Sequence, residues 1–298
     1  MKTKAILLAL AVFAFTAIQA AASPMPVSLM WDVGAAGAPA HGDADTLTGL
    51  FNQIGFASQT STVQYDTNGD GALSVGDKFT DSGNLRVNDL LANSIIDKEG
   101  LNQLGGYEVT AEWNNLEGHV TSLSLLSTGV TQIGVQYTSG TIGFYLDTAL
   151  DSIFANPAGT SPPAGAGGTG FGNGTMVAEL SLTNGIGYTF VDFTGNDLQN
   201  QGTVKLQFEF TNYLPGFWLT SEATDLFEKY PIEWVLLTTD MNIDTPTQNP
   251  GFPEGALYTA YSNQNGSAKV AVVPEPSTFI LLGVGLAGLG FYTRRRKQ

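Results

Sequence analysis

The clearest pattern along the chain is alternation with a period of two. Val204, Leu206, Phe208 and Phe210 fall on one face of an extended segment, with Lys205, Gln207, Glu209 and Thr211 on the other. Tyr107, Val109, Ala111 and Trp113 alternate in the same way with Glu108, Thr110 and Glu112. Similar runs are Ile133-Val135-Tyr137, Ile142-Phe144-Leu146, Ala178-Leu180-Leu182 and the stretch Ile232 to Met241. Successive side chains of a strand point to opposite faces, so each run predicts a strand with one face buried. Gly- or Asn-containing turns separate most of them, and Ser139-Gly140 between two runs predicts a hairpin. Many short strands without a strand–helix rhythm predict a mainly β chain, folded as an antiparallel β-sandwich or a jelly-roll-like domain. Helix is minor. Leu91, Ile95 and Ile96 within Asn88 to Lys98 predict a short amphipathic helix, and Asp147 to Phe154 and Ser221 to Lys229 are shorter candidates.

The two ends follow a different logic. Lys2 and Lys4 precede an apolar run from Ala5 to Ile18, which ends in Ala20-Ala21-Ala22. That is the charged start, apolar middle and small-residue cleavage site of a secretory signal, so residues 1–22 are expected to be a signal peptide. At the other end, Val273-Pro274-Glu275-Pro276-Ser277 leads into an apolar stretch from Thr278 to Tyr292, followed by Arg294-Arg295-Arg296-Lys297. A helix from Phe279 to Tyr292 would be roughly 21 Å long, short of a hydrocarbon core about 30 Å thick. Four glycines in it weaken it further, while the cations hold the tail in the cytoplasm. A chain exported N-terminus first and transiently anchored in the inner membrane by its tail is expected. The exported body then spans 23–273 and contains a Gly/Pro-rich loop at 156–175, with the tail at 274–298.

Charge sharpens once the ends are set aside. The chain has 298 residues, no cysteine, 2 histidines, 12 Lys+Arg and 27 Asp+Glu. Six of the cations lie in the ends, leaving 6 cations against 26 acids between Ser23 and Val273, a balance of −20. Disulfides, thiol nucleophiles and cysteine metal sites are excluded. A body this acidic excludes nucleic acid as partner, because binding it requires clustered cations. It offers carboxylates to divalent cations instead.

Pro274-Glu275-Pro276, the Gly-rich apolar segment and the Arg-rich end together resemble the PEP-CTERM sorting signal. The resemblance covers about the last 25 residues. It implies processing by an exosortase, a membrane protease-transpeptidase of Gram-negative bacteria that make extracellular polysaccharide. Pro274, Glu275 and Pro276 would then be the recognition residues, and the segment after them would be removed or exchanged. The body has a weaker resemblance to flocculation-associated PEP-CTERM proteins, carried by Asp45-Thr46-Leu47-Thr48-Gly49-Leu50, by Leu104 to Trp113 and by Pro215-Gly216-Phe217-Trp218. It assigns no residue roles.

The strongest chemical motif is the stretch Asp66 to Asp77. Asp66, Asn68, Asp70 and Gly71 match the calcium-loop spacing D-x-N-x-D-G. Asp66, Asn68 and Asp70 would supply side-chain oxygens and Ala72 its carbonyl. Ser74 would act directly or through water, and Asp77 stands where the closing Glu usually does. Thr60 to Tyr65 reads as strand, so this is an EF-loop-like Ca2+ site in a β context; an Asx-rich turn has the same composition. His41, in Pro39 to Asp45, belongs to either a metal patch or a solvated loop. Glu108 with Glu112, and Glu228 with Glu233, offer the paired carboxylates of glycoside hydrolysis, whose spacing only a structure can show. Trp218, expected in a loop, is the candidate for stacking on sugar, and Trp113 is expected in the core.

These features predict a non-enzymatic protein of the cell surface or extracellular matrix. It would be sorted by exosortase and support flocculation or biofilm cohesion with exopolysaccharide, with calcium bridging acidic surfaces. A carbohydrate-binding module is the alternative, and a glycan hydrolase a more distant one.

Overall fold

The computed structural model describes residues 25–93, 95–126, 129–155, 168–192, 201–229, 233–243, 247–248 and 256–272. The expected signal peptide, most of the expected 156–175 loop and the tail at 274–298 lie outside them. The strands are β1 (Met25–Pro26), β2 (Leu29–Trp31), β3 (Gln53–Tyr65), β4 (Lys78–Leu91), β5 (Glu108–Leu125), β6 (Val130–Ser139) and β7 (Thr141–Asp147). They continue with β8 (Thr175–Asp192), β9 (Gln201–Tyr213), β10 (Trp218–Thr220), β11 (Glu233–Ile243), β12 (Thr247–Gln248) and β13 (Ala256–Val272). A single turn of helix, α1 (Leu226–Lys229), follows β10. Contacts divide the chain into a unit spanning Pro26–Val270 and a second comprising Met1–Met25 with Ala271–Gln298.

Within the larger unit the strands run as a meander in which each pairs antiparallel with its predecessor. The order β3-β4-β5-β6-β8-β9-β11-β13 then closes, because β13 pairs back onto β3 from Tyr258↔Gln64 to Ala268↔Ile54. The mainly β antiparallel expectation holds. The main sheet closes on itself as an up-and-down barrel instead of dividing into the two facing sheets of a sandwich or jelly roll. Closure leaves no open strand edge in the ring.

Gly140 is not a hairpin. β5 pairs with β6 through Glu117↔Ser139 to Leu125↔Thr131, and with β7 through Glu108↔Asp147 to Glu112↔Gly143. β8 pairs with both in the same way. β6 and β7 are therefore two halves of one strand running in a single direction, interrupted at Gly140. A Cβ at Gly140 would lie 2.6 Å from the Asn115 carbonyl oxygen, and its φ is +136°. The Gly140 carbonyl still accepts from the Leu182 amide at 2.9 Å, so the wall stays bonded across the break.

The inward positions follow from the alternation. Ile54, Phe56, Leu85, Val87, Val109, Ala111, Phe144, Leu146, Leu180, Leu206 and Phe208 are buried in one apolar cluster. A two-stranded sheet of β2 and β10, with Trp218 opposite Trp31, joins that cluster. Its rings interlock: Trp31 stands edge-on to Phe51 at 5.1 Å and to Trp218 at 5.6 Å, and stacks on Phe217 at 5.5 Å. Two of the three helix candidates are replaced by other structure. β4 continues through Asn88 to Leu91, where Leu90 pairs with Ile54, and residues 148–154 form a loop bridged at Ile153↔Thr169. The candidate at 221–229 survives only as α1.

Candidate functional sites: the barrel interior and the loop at its rim

The barrel's apolar core gives way at mid-height to polar side chains. Ser58, Thr60, Ser262 and Gln264 are buried there, and Gln264 Nε2 donates to both the Thr60 and Ser262 hydroxyls. Asp81 of β4 is the one acid in this layer among the described residues, 4% exposed. One oxygen accepts from Trp113 Nε1 at 2.8 Å, and the other from Thr62 Oγ1 at 3.0 Å and Tyr137 OH at 3.5 Å. Burial pushes its carboxyl up to about 6, since removing a carboxylate from water disfavours the charged form more than these three donors restore it. Trp113 is thus in the core as expected, but as a donor to a buried acid. Beyond Asp81 lies a cavity of about 100 Å³ bounded by Phe79, Ile133, Val135, Val191 and Tyr258, with Leu73 of the β3–β4 loop among its lining residues.

That loop is the Asp66–Asp77 segment, and the structure brings its motif residues together. Asp66 Oδ1 accepts from the Gly69 and Asp70 amides at 2.6 and 3.2 Å, and Oδ2 from Gly71 at 2.8 Å. Asn68 Nδ2 donates to Asp70 Oδ2 and to Ser74 Oγ, both at 2.9 Å. Asp70 Oδ1 accepts from the Ala72 amide at 2.8 Å. Asp77 sits apart from this exposed group. It is 1% exposed, with Oδ1 on the Thr67 amide at 3.0 Å and Oδ2 on the Ser74 amide at 2.8 Å. Asp77 therefore clasps the two arms of the loop. A carboxylate has about four lone-pair sites, so Asp66 retains capacity toward a cation while holding the turn. The fit is of oxygen donors around Asn68, Asp70 and Ser74, with Asp66 as the frame.

Trp218 corrects the stacking expectation. It lies in β10 at 4% exposure, and its Nε1 donates to the Val177 carbonyl at 2.8 Å, so its face is spent on packing with Phe210 and Phe217. Glu108 is likewise committed to structure. Oε1 accepts from the Asp151 and Ser152 amides at 3.0 and 2.9 Å, and Oε2 from Ser152 Oγ. It pins the 148–154 loop against β5, beside Asp147 and Asp151. Sequence pattern alone missed Asp81, which looks like any polar residue of Thr80-Asp81-Ser82; the signal was its in-facing parity with Phe79 and Leu85.

Residues 272–297 match the family model of the PEP-CTERM protein-sorting motif. The chain carries a PEP-CTERM sorting signal. It is thereby an exported protein handled at the membrane by exosortase, and Pro274, Glu275 and Pro276 lie within the matched segment. No curated protein matches the chain. Among solved structures, it has a likeness to Ail, the attachment invasion locus protein of Yersinia pestis, at 7% identity and a TM-score of 0.14, over 74% of this chain and 99% of that one. A likeness that low says nothing of fold or function here. Among the described residues no helix is long and apolar enough to cross a membrane.

Proposed function

We propose that the mature chain is a structural component of the cell surface or extracellular matrix of a Gram-negative cell, where it holds cells together through exopolysaccharide. The observation that carries this reading is the sorting motif at 272–297, which commits the chain to export. Two features support it. The body has a balance of −20, suited to cation-mediated contact with anionic polymer. Its closed barrel contains no cysteine, so its fold requires no disulfide formation outside the cell. The role is non-enzymatic. Glu108, the obvious partner for Glu112 in glycan hydrolysis, is already bound by two amides and a hydroxyl.

Calcium is the cofactor of this reading, held at the β3–β4 loop. In this structure the Asn68 amide joins Asp70 to Ser74; the ion would be held by the Asp66 and Asp70 carboxylates, the Asn68 and Ala72 carbonyls and the Ser74 hydroxyl. Affinity in the millimolar range suffices outside the cell. Deleting the gene should reduce flocculation or biofilm cohesion, and EDTA should reproduce part of that loss in the parent strain. A strain carrying Asp66→Asn and Asp70→Asn should aggregate less and respond less to EDTA. Unchanged aggregation in the deletion strain would refute the role, and an unchanged EDTA response in the loop variant would refute the calcium step.

A further inference from the structure

A second group of acids converges far from the β3–β4 loop, between segments more than 50 residues apart in sequence. Carboxylate oxygens of Asp43, Asp45 and Glu99, one from each, all lie within 4.8 Å of one another. The two aspartates are exposed, whereas Glu99 is fully buried. One Glu99 oxygen, Oε2, accepts from the His41 amide at 2.9 Å. The other, Oε1, is buried without any hydrogen-bond partner. His41 comes close enough to provide that amide because its ring lies over Gly100, where a Cβ would approach it to 2.5 Å.

A buried carboxylate with an unpartnered oxygen is costly unless something compensates it. Here the surroundings add to the cost. Among the described residues no Lys or Arg pairs with Asp43, Asp45 or Glu99, and neighbouring Lys98 is turned to Asp89. Asp97 packs beside Glu99, accepting its amide at 2.9 Å. Burial pushes the Glu99 carboxyl up from its usual range against the opposing His41 amide, and the charges of Asp97 and Asp43 and the close approach of the Asp97 carboxyl add to the rise. Glu108, in the other acidic group with Asp147 and Asp151, has both oxygens bonded. That contrast separates a structural clasp from an uncompensated site.

We propose that Asp43, Asp45 and Glu99 bind a divalent cation, calcium, that bridges the 41–45 segment to the 97–100 segment. The ligand set is all oxygen, which selects a hard cation. At calcium–oxygen distances of 2.3–2.6 Å, ligands on opposite sides of one ion are about 5 Å apart, and the three oxygens fall inside that span. Calcium, unlike magnesium, also tolerates an irregular shell completed by water. Glu99 Oε1 acts as the buried ligand, with Asp43 and Asp45 closing the outer side and water filling the remaining positions. The sequence hid the site because neither Asp43-Ala44-Asp45 nor Glu99 carries a motif alone.

The site is separable from the β3–β4 loop by experiment. The full chain carrying Asp66→Asn and Asp70→Asn, stripped with EGTA, is titrated with CaCl2 alone by calorimetry and by thermal melting. A remaining binding event with a rise in Tm is expected. Adding Asp43→Asn and Asp45→Asn, both at exposed positions that folding tolerates, should weaken that event at least tenfold. Glu99→Gln, which removes the buried charge while keeping its shape, should raise the calcium-free Tm and abolish the calcium-dependent rise. No calcium response in the loop variant, or one that survives Asp43→Asn with Asp45→Asn unchanged, would overturn the proposal.

Discussion

Asp81 is the residue whose chemistry the barrel changes most. Its carboxyl, raised to about 6 from a model-peptide value of 3.8, binds its proton more tightly in the folded chain than in the unfolded one. Its contribution to stability is therefore fully present below the unfolded value and is lost as pH rises through about 6. Asp81→Asn keeps an acceptor for Trp113 Nε1 and places its amide toward the Thr62 and Tyr137 hydroxyls, which can accept. The wild-type chain should lose stability between pH 4 and 7, by at most about 3 kcal/mol for a shift of this size, and the Asn variant should lose less. Equal losses of unfolding free energy in the wild-type and Asn chains between those two pH values, read from urea titrations, would contradict the assignment. Trp218→Ala is a second residue-scale case. Because the indole fills the core and bonds Val177, the variant should lose about 3–5 kcal/mol while polysaccharide retention of the folded fraction stays unchanged; lost retention with unaltered stability would restore a surface role.

At the scale of elements, alternation revealed β5 to β9 and β11, missed most of β4 and all of β13, and misread one junction. Ile133, Val135 and Tyr137 have odd parity, while Ile142, Phe144 and Leu146 have even parity. Two runs out of phase, separated by Ser-Gly, look like two strands and a turn. The structure shows the other way to change phase, an extra residue inserted into one continuous strand. The same shift occurs in β5, between Trp113 and Leu116 where it pairs with Gly83 and Asp81 of β4, and in β8, between Leu182 and Asn184. Gly140→Ala tests the reading. A Cβ facing the Asn115 carbonyl at 2.6 Å with φ at +136° should cost about 2 kcal/mol or more, measured by chemical denaturation. A free hairpin loop would tolerate Ala at a few tenths of that. The helix expected at 88–98 failed for a related reason. Its apolar positions satisfied a helical spacing, but pairing of Leu90 with Ile54 and Leu91 with Gln53 drew the first part into β4, and tertiary pairing outweighs so weak a local preference. The calcium-type spacing from Asp66 to Gly71 was legible because all its groups are local; the clasp role of Asp77 was not, because it depends on the folded path of both arms.

For the whole molecule, period-two patterning reports that strands have an inside and an outside, but not whether the sheet closes. Closure rests on β3 with β13, a pairing such as Gln59↔Asn263, which no local window contains. The sorting signal, in contrast, was readable, since its three parts are contiguous in sequence and residues 272–297 match the PEP-CTERM sorting motif. The barrel is expected to reach the outside of the cell by cleavage at both ends. Intact-mass spectrometry of the protein recovered from the producing cells and their matrix tests it directly. A mature species that begins after Ala22 and has lost the apolar, Arg-rich segment beyond Pro274-Glu275-Pro276 is predicted, and its loss in an exosortase-deficient strain should follow. Recovery of a chain that retains Arg294 to Lys297, in cells with an active exosortase, would contradict it.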